Sequence, residues 1–140
     1  MIRQAEQSDI PALKALMLSE PGFWQGSWRH DVLERGLVSS GGLAFVWEEE
    51  GQLLGFVCAH DLGFRAYLSE LIVKSSERRR GIGNRLVERI HQEISSRGFA
   101  ILISDVWHGA NEFYKSLGWS EPDVKLLRKR LDGDHSQQTS

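Results

Sequence analysis

Six residues, Arg78-Arg79-Arg80-Gly81-Ile82-Gly83, stand between an apolar run that ends at Val73 and a segment whose apolar residues recur four apart. A strand that turns into a long amphipathic helix is expected there, and with the order of the other elements it gives a mixed α/β domain. Two glycines let the backbone come close to an anion. The helix start adds unpaired N–H groups and the positive end of its dipole, and the arginines add charge. The turn therefore reads as a pyrophosphate seat, which implies a cofactor carrying a nucleotide.

Spacing narrows the choice of cofactor. The dinucleotide fingerprint G-x-G-x-x-G fails because no glycine precedes the arginines, and the phosphate loop G-x-x-x-x-G-K-[ST] fails because no Lys-Ser/Thr follows Gly83. The pattern R/Q-x-x-G-x-G/A is met by Arg78, Gly81 and Gly83, after the apolar run Leu68-Ser69-Glu70-Leu71-Ile72-Val73. Downstream, Ala110-Asn111-Glu112-Phe113-Tyr114-Lys115-Ser116-Leu117-Gly118-Trp119 fits A-x-x-F-Y-x-x-x-G-F/W. In this order the two elements resemble the GNAT N-acetyltransferases. The likeness spans residues 68–119, while residues 1–19 fit only the loose opening of that family, a short strand and a helix.

That resemblance implies a mixed α/β fold: one central, mostly antiparallel sheet with a splayed parallel pair, flanked by about four helices. Acetyl-CoA would lie in the gap between the splayed strands. Its pantetheine arm would bond to the backbone of Leu71, Ile72 and Val73, and its pyrophosphate would rest on the N–H groups from Arg79 through Asn84. The cofactor turn thus comprises Arg78, Arg79, Arg80, Gly81, Ile82, Gly83 and Asn84. The reaction implied is direct transfer: an amine loses a proton, attacks the thioester, and expels a thiolate that an acid protonates.

Tyr114 matches the family's tyrosine and is the candidate acid, with Phe113 as the core member of the pair. Glu70 is the candidate base, and Tyr67, His60, Asp61, Asp105 and His108 compete for the role. Strand alternation puts Glu70 with Leu68 and Ile72, opposite Leu71, and a β-bulge would change that parity. Trp107 stands where the family frequently has Asn. Trp24 and Trp28 lie in the segment that lines the acceptor site in the family, where they can bracket an amine or attract a cation, or else cap a sheet edge. A small-molecule primary amine is favoured as acceptor over a protein terminus or lysine. The alternative is a non-catalytic acyl-CoA-binding module. No metal is implied, and a homodimer fits the habit of many relatives.

Composition agrees. At 140 residues the chain has room for one continuous core, expected over residues 1–131, and the polar residues 132–140 are expected to form a frayed tail. A formal net charge of −2 and a pI near 6.2 argue against nucleic-acid binding, so the arginine triplet is a local feature. Cys58 is the lone cysteine, which excludes an intrachain disulfide and a thiolate-rich zinc site and suits a cytoplasmic setting; it reads as a small buried side chain. No apolar run reaches about 20 residues, so no membrane span is expected.

The remaining elements follow from periodicity and turn residues. A strand is expected over 2–5, then a helix capped by Ser8 that carries Ile10, Leu13, Leu16 and Met17 on one face. A second helix is expected over 29–37, and Ser39 to Gly42 then form a turn into a hairpin of strands 43–49 and 53–60. A strand over 66–73 precedes the arginine turn. A helix over 81–97 follows, then a buried strand over 99–104, a helix over 109–117 and a last strand over 124–131.

Overall fold

A computed structural model of the chain describes residues 1–133 and forms two compact units, Met1–Ser104 and a second that begins at Asp105. The first unit holds β1 (Ile2–Gln4), α1 (Ile10–Ser19), α2 (Val32–Ser40), β2 (Ala44–Glu49), β3 (Gln52–Asp61), β4 (Ala66–Val73), α3 (Ile82–Ser96) and β5 (Leu102–Ile103). The five strands make one sheet in the order β1-β2-β3-β4-β5. All neighbours are antiparallel except β4 and β5, which run parallel and pair only at Ala66–Leu102 and Tyr67–Ile103. The expected mixed α/β architecture, with a parallel pair that parts after two residues, is the one observed.

The hairpin between β2 and β3 closes on Glu50 and Gly51, with φ of 51° and 78°. Two consecutive left-handed residues make the turn whose twist matches paired strands, and glycine takes the second place without steric cost. Alternation along these strands divides the core. Ala44, Val46, Phe56, Cys58 and Ile72 pack with Leu13, Leu16 and Met17 of α1 and Leu33 of α2. Their alternates face α3: the Arg89 guanidinium lies 4.6 Å over the ring of Phe45, and a Cβ on Gly55 would meet Ile82 and Leu86 at 3.0 Å. Ile82, Leu86, Val87, Ile90 and Ile94 are the buried stripe of α3, as their spacing predicts.

Several boundaries differ from expectation. Ser8 does not cap α1; Glu6 and Asp9 form a reciprocal capping box around a 3-10 turn at Gln7–Asp9. Arg3 forks onto Asp9 at 2.8 and 2.9 Å and reaches Glu48 at 3.1 Å, tying β1, the start of α1 and β2 together. That pairing holds the Asp9 carboxyl below its ordinary range and outweighs any serine cap. Helix α2 starts three residues late and takes in Ser39 and Ser40, because Gly41 at φ 59° supplies its left-handed stop. Strand β5 is short, and Ile101 and Ile103 beside and within it are exposed, so the expected buried strand over 99–104 is instead a two-residue edge pairing.

The second unit contains a 3-10 turn at His108–Ala110 and α4 (Asn111–Ser116), closed by Gly118 at φ 94°. No strand forms over 124–131. Val124, Leu126, Leu127 and Leu131 are each at least 75% exposed, and an apolar run becomes a strand only where it finds a ladder to join. Of the expected tail, Asp132 and Gly133 lie in a bend and residues 134–140 fall outside the described residues. No helix among the described residues is long and apolar enough to cross a membrane.

Replacing Gly55 with Val forces β3 and α3 apart at their closest approach. Overpacking of this kind costs about 1–3 kcal/mol, so G55V should unfold at clearly lower urea than wild type, with an unchanged slope.

Candidate functional site

The arginine turn contains two left-handed residues, Arg79 and Gly81. After β4, a 3-10 turn at Ser75–Glu77 leads to Arg78 in extended conformation, Arg79 at φ 70° and Gly81 at φ 81°, which caps α3. For an arginine the left-handed region costs on the order of 1 kcal/mol, so the surrounding turn imposes it. The Gly81 carbonyl accepts from the Arg85 N–H at 3.1 Å, while the first N–H groups of α3, on Ile82, Gly83 and Asn84, have no acceptor within the helix. Apart from its chain neighbours, nothing lies within 4 Å of where a Gly81 Cβ would stand. Backbone conformation, not crowding, calls for glycine there.

The arginine side chains are used unequally. Arg78 bonds Glu20 at 2.6 Å, and Arg80 bonds both Glu49 and Glu77 at 2.7 Å. Arg80, together with the Trp47 indole N–H at 2.7 Å, holds the Glu49 carboxyl below its ordinary range. Arg79 makes no ion pair among the described residues. Net attraction for an anion therefore comes from the amides and Arg79. Sequence reasoning missed Glu20 altogether, since nothing local marks a partner 58 positions away.

Along β4 the register against β3 shifts: Glu70 pairs Cys58 and Leu68 pairs Ala59, which leaves Ser69 as the extra residue of a β-bulge. Opposed residues share a face. Glu70 therefore lies with Cys58 and Ile72 on the α1/α2 side, while Leu68 goes with Ala59 to the other side, the change of parity that a bulge was expected to cause. The Ser104 hydroxyl donates to the Leu68 carbonyl at 2.8 Å. Beyond it, Leu71, Ile72 and Val73 pair with Val57, Phe56 and Gly55 of β3 on one edge and with no strand on the other, among the described residues.

Beside the bulge sits a polar cluster. His60 Nε2 lies 2.8 Å from Ser69 Oγ and its Nδ1 lies 3.1 Å from Ser39 Oγ on α2, while its ring stacks on Tyr67 at 6.4 Å. Burial pushes the His60 pKa down, so the ring is neutral near pH 7, and burial pushes the Cys58 thiol up to about 12. Cys58 is thus a buried thiol and no nucleophile.

Trp24 and Trp28 meet edge to face at 5.1 Å, with Phe23 against Trp28 at 6.3 Å, and the three cover the α1/α2 core. The Lys14 ammonium stands 5.3 Å from the Trp24 ring centre, within cation–π range. Within the second unit, Tyr114 is buried between Phe113 and Trp119, each 5.2 Å away and near perpendicular. Phe113 is only partly buried, so the tyrosine is the core member of the pair. Asp105 and His108 are exposed, and Trp107 is 75% exposed.

His60 gives a test of the cluster. Its folded pKa is depressed, so the stability this arrangement contributes is complete above the unfolded value of about 6.5 and is lost as pH falls through the folded value. Thermal melts at about pH 7.5 and about pH 5 should show a smaller loss of Tm in His60→Gln than in wild type.

The profile of the acetyltransferase (GNAT) family matches residues 10–119. Peptidyl-lysine N-acetyltransferase YiaC of Escherichia coli strain K12 is 35% identical over 98 residues, which cover 66% of this chain and 65% of that protein, so the chain spans less than two thirds of this relative. The ribosomal-protein-S18-alanine N-acetyltransferase of Escherichia coli superposes with a TM-score of 0.71 at 26% identity, covering 87% of this chain and 78% of that one. The PaiA N-acetyltransferase of Thermoplasma acidophilum, solved in complex with coenzyme A, gives a TM-score of 0.75 at 18% identity over 89% and 92% of the two chains, a likeness of fold.

Proposed function

The chain belongs to the acetyltransferase (GNAT) family, and on that premise we propose that it is an acetyl-CoA-dependent N-acetyltransferase that moves the acetyl group directly to a primary amine. The observation that carries this reading is the turn at Arg79 and Gly81. Two left-handed residues lead into the N–H groups at the start of α3 that have no acceptor within the helix, in a chain whose overall charge gives it no general affinity for polyanions. The family match runs from the first unit into the second, which supports residues 1–131 as one functional domain. A buried, un-ionised Cys58 suits a reducing, cytoplasmic setting.

Acetyl-CoA is a substrate here and brings the activated thioester. The amides from Arg79 through Asn84 and the Arg79 side chain hold its pyrophosphate, and the unpaired edge of Leu71, Ile72 and Val73 receives the pantetheine arm as an added strand. Glu70, on the α1/α2 side next to the bulge, takes the proton of the acceptor ammonium directly or through water. Tyr114 gives its phenolic proton to the departing thiolate. Trp24 and Trp28 present aromatic faces to the incoming cation.

The acceptor is an alkyl amine. The aromatic segment suits a small-molecule amine such as a polyamine, and the named activity of the 35% identical relative favours a lysine ε-amine as the second reading. Both place an ammonium on a flexible alkyl chain, so a panel of polyamines, aminoglycosides and lysine peptides, read by thiol release, separates them.

Calorimetric titration with acetyl-CoA tests the site. Wild type should bind with a Kd of order 1–100 μM, and Gly81→Asp/Gly83→Asp, which sets negative charge and side chains where the pyrophosphate lies, should not bind measurably. No binding by wild type would remove the cofactor reading. Once an acceptor is found, Tyr114→Phe should lower kcat by about 10²-fold with acetyl-CoA affinity unchanged. Equal turnover by mutant and wild type would end the acid role, and binding without acetylation of any amine would favour the acyl-CoA-binding module.

A further inference from the structure

Glu20 is the residue through which the two halves of the site touch. It follows α1 directly and is 7% exposed, with its backbone extended. Its carbonyl accepts the Phe23 N–H at 3.1 Å, which sets the first bend of the segment carrying Trp24 and Trp28. Its carboxylate points the other way: Oε1 takes the Arg78 guanidinium at 2.6 Å, and Oε2 takes the Ser75 N–H at 3.4 Å and the Ser19 hydroxyl at 3.3 Å. Ser75 opens the 3-10 turn after β4 and Arg78 closes it. One buried carboxylate thus grips both ends of the approach to the cofactor turn while its main chain anchors the aromatic segment.

We infer that Glu20 and Arg78 are positioning residues that fasten the aromatic, acceptor-side segment to the cofactor turn, and that Arg78 serves this carboxylate instead of a phosphate. This rests on the cofactor reading above. The charges argue for it: guanidinium and carboxylate sum to zero, so Arg78 adds little net pull on an anion, whereas Arg79, next in the chain, is unpaired among the described residues. Burial argues for it as well. With a side chain 8% exposed, Glu20 has Arg78 as its charged partner, while Arg78 is 61% exposed and remains solvated without it. Removing Arg78 leaves a buried charge with one long amide contact and one hydroxyl, and the carboxylate must then leave for water, taking the end of α1 and the turn with it. Removing both charges leaves nothing to expel.

A double-mutant cycle on acetyl-CoA binding decides the matter, with Kd measured by calorimetry at a temperature where melts show every variant folded. Arg78→Met should weaken binding about tenfold with its dependence on salt unchanged, Arg78→Lys should restore most of the loss, and Glu20→Gln/Arg78→Met should bind no worse than Arg78→Met. Arg79→Met, in contrast, should flatten the salt dependence. If Arg78→Met costs the same in the Glu20→Gln background as in wild type and also flattens the salt dependence, Arg78 is a phosphate ligand and the inference is wrong. Singles that bind like wild type would reduce the pair to an ion pair of no consequence. Failure of wild type itself to bind would overturn the cofactor reading, and this inference with it.

Discussion

The close approach of α3 to the sheet at Gly55 governs the rest of the site. A side chain at that position would collide with Ile82 and Leu86, so only glycine lets the first turn of α3 lie this near the backbone of β3. Ile82 is also the first residue of the helix, next to the Gly81 cap. The contact that seats the helix on the core therefore also sets where its free N–H groups begin. A small displacement at Gly55 also moves the turn proposed as the anion seat, because only the Gly81 cap separates the packing from it.

On the next strand a different constraint operates. The bulge at Ser69 changes which residues share a face, and it gives the α1/α2 side two consecutive polar residues where strict alternation allows one. His60 secures that irregularity by bonding Ser69 on one ring nitrogen and Ser39 on the other. The histidine thus links β3, the bulge in β4 and the end of α2. Burial lowers its pKa, which favours the neutral ring in that role.

Periodicity made much of this legible. The stripe of α3, the hairpin at Gly51 and the strand before the arginines are local patterns, and each appeared where its residues put it. What was hidden depends on distant partners. Ser8 looked like a cap, but Arg3, itself bonded to Glu48 of β2, holds Asp9, whose carboxylate closes the box with Glu6 instead. The run after Val124 has the composition of a strand, yet composition does not reveal whether a neighbouring ladder accepts it. Phe113 and Tyr114 are adjacent aromatics, and only the position of Trp119 makes the tyrosine the buried one. The partner of Arg78 was beyond reach for the same reason.

The pairing of the arginines also bears on how such a turn selects its ligand. Three consecutive arginines suggest binding by charge, but Glu20, Glu49 and Glu77 are bonded to two of them. A seat that relied on charge would accept any polyanion and weaken steeply with salt. A seat of the kind proposed, made of oriented amides, a helix start and a guanidinium with no ion pair among the described residues, asks instead for an anion of the right shape at one place. The carboxylates thus trade general attraction for fit, which is consistent with a mildly acidic chain carrying its basic cluster at a single turn.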